Sequence, residues 1–138
     1  MKSEIENRFR GYIFSRPFME ERVPQHVQNI VIRDYCTKKG IQYLLSATEY
    51  AMENSALTLR QLVKDLSSID GIVAYSIFQM PEDDNERQSI FNSVLSLKKE
   101  IHFAVEGLSI YDNDTYNHIE NIWKVKKTLP HCESLEIL

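Results

Sequence analysis

Four places in the sequence gather side chains able to bind or move charge. Ser15-Arg16, Thr48-Glu49-Tyr50, Ser76–Gln79 and Glu106-Gly107 each follow a short apolar run rich in β-forming residues. A guanidinium such as that of Arg16 holds a carboxylate or phosphate through two parallel hydrogen bonds. Glu49 and Glu106 are two carboxylates suited to acid and base roles. His26 adds an imidazole, a side chain that both gives and takes a proton. Ser15, Ser76 and Gln79 supply hydroxyls and an amide for the polar groups of a ligand. Glu49, Glu106 and His26 are therefore the candidate catalytic residues, and Ser15, Arg16, Ser76 and Gln79 the candidate ligand-binding residues. Each also has an ordinary role: Arg16 pairing with Glu49 or Glu106 to fix the rim, the serines ending strands, His26 solvated at a helix start. His102 falls within a strand and reads as packed structure.

Other chemistries find little support. The run Glu82-Asp83-Asp84 lacks the alternating oxygen ligands and glycine of a calcium loop, and acidic residues at a helix start are favoured by its dipole. The four glycines do not cluster, and prolines occupy the first strand-to-helix connection where a dinucleotide fold needs glycines. Of the two cysteines, Cys36 sits in a helical apolar pattern as a buried thiol and Cys132 falls in a tail, so no disulfide framework or metal spacing is expected. A net charge of -4 opposes general nucleic-acid binding. Lys124, Lys126 and Lys127 are the best candidates for a local basic patch, and they suit the negative end of a helix. No metal or cofactor is expected. Residues 1–10 are charged without an apolar signal core, and no apolar run reaches membrane-spanning length, so the expected setting is cytoplasmic.

The elements that must position these groups follow from periodicity. At 138 residues the chain is expected to form one domain, 1–138, with 1–9 and 129–138 as flexible or docked tails. Strands are predicted over Arg10–Ser15, Ile41–Ala47, Ile72–Ile77 and Ile101–Val105. A helix opens at Pro24 and runs to about Lys39, with Val27, Ile30, Val31, Tyr35 and Cys36 as its apolar stripe. Thr58 reads as the cap of a second helix carrying Leu59, Leu62, Val63 and Leu66. Ile90, Phe91, Val94, Leu95 and Leu97 mark a third, and Tyr116, Ile119, Ile122 and Trp123 a fourth. Alternating strands and helices predict an α/β fold of three layers: a mainly parallel sheet of four to five strands with helices on both faces. Such sheets bind ligands beyond the carboxyl ends of their strands, where strand order reverses. All four chemical clusters fall at those ends.

Two resemblances refine this. Gly11-Tyr12-Ile13-Phe14-Ser15-Arg16 with Gln25, Ile72 to Met80, and Phe103-Ala104-Val105-Glu106 resemble the catalytic domain of serine recombinases (resolvases and invertases) over about 10–126. That implies a resolvase-like fold. Phe14 stands at the family's first arginine, Arg16 at its serine nucleophile, and Phe78-Gln79 at its Asp-Arg, with Ser15 one place early and on the opposite strand face. Recombination, which needs positive groups around the phosphate, is therefore not implied. A closer resemblance is to bacterial sporadic carbohydrate cluster proteins, carried by Arg10 to Phe18, Val23 to Asn29, Leu45 to Tyr50 and Asp70 to Ser76.

That second resemblance implies a place in bacterial surface carbohydrate biosynthesis of the lipopolysaccharide or O-antigen type. Two functions then stand open. One is a small enzyme acting on an anionic sugar or nucleotide sugar. The other is a non-catalytic dimeric module that pairs through the 114–127 helix or partners a glycosyltransferase. A nucleic-acid-binding recombinase relative without catalysis is a distant third.

Overall fold

The computed structural model describes residues 7–15, 17, 22–49 and 56–137, with side chains described to 128. Its elements are β1 (Arg8–Phe14), α1 (Gln25–Lys39), β2 (Gln42–Glu49), α2 (Leu57–Lys64), β3 (Gly71–Ala74), α3 (Asp84–Ser96), β4 (Glu100–Phe103), β5 (Leu108–Ile110) and α4 (Asn113–Ile137). Short 3-10 turns occupy Asp65–Ser67 and Ile77–Gln79. The sheet order is β2-β1-β3-β4-β5. β1 pairs in parallel with β2 and β3, β3 pairs in parallel with β4, and β5 alone runs antiparallel, on β4. The expected mainly parallel α/β sheet is thus present. Strand order reverses between β1 and β3, and that gap is where a ligand crevice belongs.

The layers follow from which faces are apolar. α1 covers one face, packing Ile32, Tyr35 and Cys36 on Phe9, Ile13 and Val73. α2, α3 and α4 cover the other, where Leu59, Leu62, Phe91, Val94, Ile119 and Trp123 meet Tyr12, Ile72 and Ile101. β3 is buried at all four positions, as a central parallel strand must be. Gly71 has no space for a side chain: a Cβ there would lie 2.5 Å from the Glu100 carbonyl oxygen. On β2, Leu45 is an extra residue between the pairs Arg10–Leu44 and Gly11–Ser46, a bulge at the sheet edge whose carbonyl accepts from Arg10 Nε at 3.0 Å.

Several boundaries differ from those predicted. β1 begins at Arg8, so residues 8 and 9 belong to the sheet rather than to a tail; the Asp70 carboxylate fixes this start by accepting from Arg8 N at 2.8 Å. β2 continues to Glu49, past the end predicted at Ala47. β3 and β4 are shorter than expected because the chain turns out of the sheet at Tyr75 and Ala104. The stripe of α1 is Gln28, Ile32, Tyr35 and Cys36, whereas Ile30 is 60% exposed; Leu97, expected on the buried side of α3, follows its last turn and is exposed. Burial pushes the Cys36 thiol up to about 11, which leaves it protonated and inert. Tyr35 Oη meets His102 Nδ1 at 2.6 Å and His102 Nε2 meets Glu100 at 2.8 Å. The carboxylate only accepts, so Nε2 carries a hydrogen, and in the neutral ring the tyrosine hydroxyl donates to Nδ1.

The C-terminal segment assigned to a tail is instead the end of α4, which continues through Pro130 to Ile137. Glu133, Leu135 and Glu136 are good helix formers that carry it on. Lys127 consequently lies within the helix. Its ammonium donates to the Glu82 carbonyl at 2.8 Å and to Asp84 at 2.9 Å. Arg87, 1% exposed, makes the deeper tie. Its guanidinium donates from Nε and Nη2 to the two Glu120 carboxylate oxygens, both at 2.8 Å, and lies 4.6 Å over the Trp123 ring. Burial alone would raise the Glu120 carboxyl, but hydrogen bonds from Arg87 and Gln88 outweigh it and hold it below its ordinary value. Asp83 caps α3 by accepting from Glu86 N at 2.8 Å, the helix-start role its acidic run suggested.

Candidate functional site

The carboxyl ends of β1 to β4 share one edge of the sheet, and most of the polar candidates meet there. They form two hydrogen-bonded groups. The first surrounds Glu49, which is buried at the end of β2. Its carboxylate accepts from Tyr12 Oη at 2.7 Å, from Thr58 N at 3.1 Å and from Leu59 N at 3.2 Å. The last two are orphan amides at the start of α2, where an anion is favoured by the helix dipole. Thr58, expected to cap α2, lies inside its first turn and donates its hydroxyl to the Thr48 carbonyl at 3.0 Å. The cap comes from the strand instead of from the preceding residue, which local sequence rules do not reveal. Ser15 donates from N and Oγ to the Glu49 carbonyl, at 2.9 and 3.1 Å.

The second group spans the gap between β1 and β3. Gln28, 0% exposed, reaches down from α1 onto the last residue of β1. Its Nε2 donates to Phe14 O at 2.9 Å and to Val23 O at 2.8 Å, and its Oε1 accepts from Phe14 N at 2.9 Å. Gln79 Nε2 donates to the same Oε1 at 2.8 Å. Both donors and both acceptor sites of the Gln28 amide are therefore used. Gln79, 2% exposed, accepts on its Oε1 from Tyr75 N at 3.0 Å. Ser76 Oγ donates to Glu106 at 2.7 Å, and the other Glu106 oxygen accepts from Ile77 N at 3.0 Å. Glu106 sits in the β4–β5 turn rather than at the end of a longer strand four.

The edge thus brings together Ser15, Glu49, Ser76, Gln79 and Glu106. His26 is exposed in the first turn of α1 and takes part in neither group. Arg16 lies outside the described residues. Gln28 was missed as a site residue. The signal for it was a polar side chain at the i−4 position of the Ile32 stripe. What the two groups do chemically is hold backbone: the carboxylates and amides satisfy strand-end and helix-start groups that would otherwise be orphaned. Phe14 is buried beside this edge, and Phe78 is partly buried, edge-on to Trp123.

This architecture has solved counterparts. The chain is similar to the N-terminal catalytic domain of the TP901-1 integrase, with a TM-score of 0.63 and 12% identity, covering 90% of this chain and 98% of that one. The fold is resolvase-like. A resolvase family site-specific recombinase from Streptococcus pneumoniae is a second neighbour, with a TM-score of 0.60 and 6% identity, covering 93% of this chain and 94% of that one. No protein-family model and no curated protein matches the chain. At these identities the resolvase-like domain shares its fold with these enzymes.

Proposed function

We propose that this resolvase-like domain is a binding and assembly module, and that it works beside the enzymes of bacterial surface carbohydrate synthesis, in the cytoplasm. One observation carries binding over turnover: the crevice at the β1–β3 reversal, where such a sheet would hold a reacting ligand, is spanned by the buried Gln28–Gln79 amide pair. Glu49 and Glu106 bond backbone amides in the same region. The carbohydrate setting rests on the sequence resemblance. The ligand class it favours is an anionic sugar or nucleotide sugar. The exposed side of α4, which includes Val125, is the surface for pairing with a second copy or a glycosyltransferase. No helix among the described residues is long and apolar enough to cross a membrane.

A second reading, a small enzyme acting on an anionic sugar, is favoured by one feature: Ser15 and Glu106 are only half-buried. Incubation with nucleotide sugars and sugar phosphates, followed by phosphorus NMR, separates the two. The binding module leaves every donor unconverted. Conversion that disappears in Glu106→Gln, with the variant still folded, would establish the enzyme. A thermal shift produced by a nucleotide sugar and lost in Arg16→Ala would assign the ligand to the strand-end rim.

A further inference from the structure

A groove of about 480 Å³ lies between α2 and α3, and none of the rim residues lines it. Its size falls in the range of small-ligand sites, roughly 300–1,000 Å³. Val63 and Ile90 line it together with the aliphatic carbons of the side chains on both walls, so most of its surface is apolar. On the α2 wall stand Arg60 and Lys64. On the α3 wall stand Asn85, Ser89 and Ser93, and a shallower recess continues along α3 to Asn92. Glu86 is the one carboxylate in the lining, and it is already paired with Arg60 across the groove.

Among the described residues, Lys64, Asn85, Ser89 and Asn92 have no hydrogen-bond or ion-pair partner for their side chains. The lining therefore offers one uncommitted cation beside neutral amides and hydroxyls, above two aliphatic side chains. Neutral amides and hydroxyls exchange hydrogen bonds with hydroxyl groups in both directions. An ammonium holds a phosphate or carboxylate as a point charge. Aliphatic carbon suits the C–H face of a ring.

We infer that the α2–α3 groove binds a hydroxyl-rich anion of monosaccharide size, either a sugar acid or a sugar phosphate, with Lys64 on its charge and Asn85, Ser89 and Asn92 on its hydroxyls. The assignment rests on the domain being a binder, and it adds the place and the chemistry of the ligand. It is independent of the strand-end rim.

Titration of isotope-labelled protein with glucuronate and with glucose 1-phosphate tests it, with glucose and inorganic phosphate as controls. Both sugar anions should shift the backbone amide signals of Val63, Lys64, Ser89 and Ser93 at millimolar concentration. Either control alone should shift them less, and the stronger anion identifies carboxylate or phosphate as the preferred charge. Lys64→Gln should weaken the interaction about tenfold, the loss of one charge-assisted hydrogen bond. Ser89→Ala, an exposed change that leaves the fold intact, should weaken it without altering the preference between anions. Shifts confined to Ser15, Ser76 and Glu106 would overturn the groove while leaving the domain a binder of sugar anions. No shift anywhere with either anion would overturn both. The same shifts produced by raising protein concentration alone would give the groove to a second copy and remove the sugar.

Discussion

At the residue scale, Gln28 does what a strand neighbour would do. Its amide pairs with both the N–H and the C=O of Phe14, extending the sheet's hydrogen bonding past Tyr12–Ala74, the last pair of β1 with β3. Removing it leaves buried backbone groups without partners, and each such group costs about 1–3 kcal/mol. Gln28→Ala is therefore expected to lower unfolding stability by about 3 kcal/mol, measured by urea denaturation. Gln28→Glu turns an acceptor onto the Phe14 and Val23 carbonyls and should be at least as damaging; a variant as stable as the wild type would contradict the assigned bonds. Glu49, Ser76, Gln79 and Glu106 were legible in the sequence because strand ends in a parallel sheet are predictable from apolar runs. Their partners were not, because Tyr12, Thr58 and Gln28 meet them only through tertiary packing. The α1 stripe was misread for a related reason: Val27, Ile30 and Val31 look like a face until Gln28 is recognised as a buried polar member of the adjacent one.

At the element scale, α4 depends on a charged contact. Glu120 and Arg87 form a buried pair, and removing one member of such a pair costs about 3–5 kcal/mol. Arg87→Met alone should be far more damaging than Arg87→Met combined with Glu120→Leu. The pH response has a definite sign. The Glu120 carboxyl is held below its ordinary value, as is that of Asp84, bonded first by Lys127 and then by Arg87. A carboxylate depressed in the folded state contributes stability above its unfolded value, and that contribution is lost as pH falls through the folded one. Trp123 is the sole tryptophan and lies on Arg87, so its fluorescence reports the docking of α4. The signal should be flat from neutrality down to about pH 5 and should change below about pH 4. Glu120→Gln should shrink that acid step, and an undiminished step would remove Glu120 from the contact. The extent of α4 was hidden in the sequence because Pro130 reads as a helix stop. β5 was hidden because three residues are too few to show a period.

At the scale of the whole molecule, the fold is shared with recombinase catalytic domains while the polar edge serves the fold itself. If α4 pairs two copies, the mass in solution at micromolar concentration should be twice that of the 16.2 kDa chain. Charge reversal at exposed Lys124 should then restore a monomer, and a strict monomer in the wild type would remove self-pairing. The most direct measurement of the polar edge is amide hydrogen exchange at Thr58, Leu59 and Ile77, whose N–H groups donate to Glu49 and Glu106. First-turn helix amides normally exchange fast because they lack intrahelical partners. Here they should be protected, and Glu49→Gln should release Thr58 and Leu59 while Glu106→Gln releases Ile77. Fast exchange at all three in the wild-type protein would mean that both carboxylates are available for chemistry, and the edge would be a site rather than a frame.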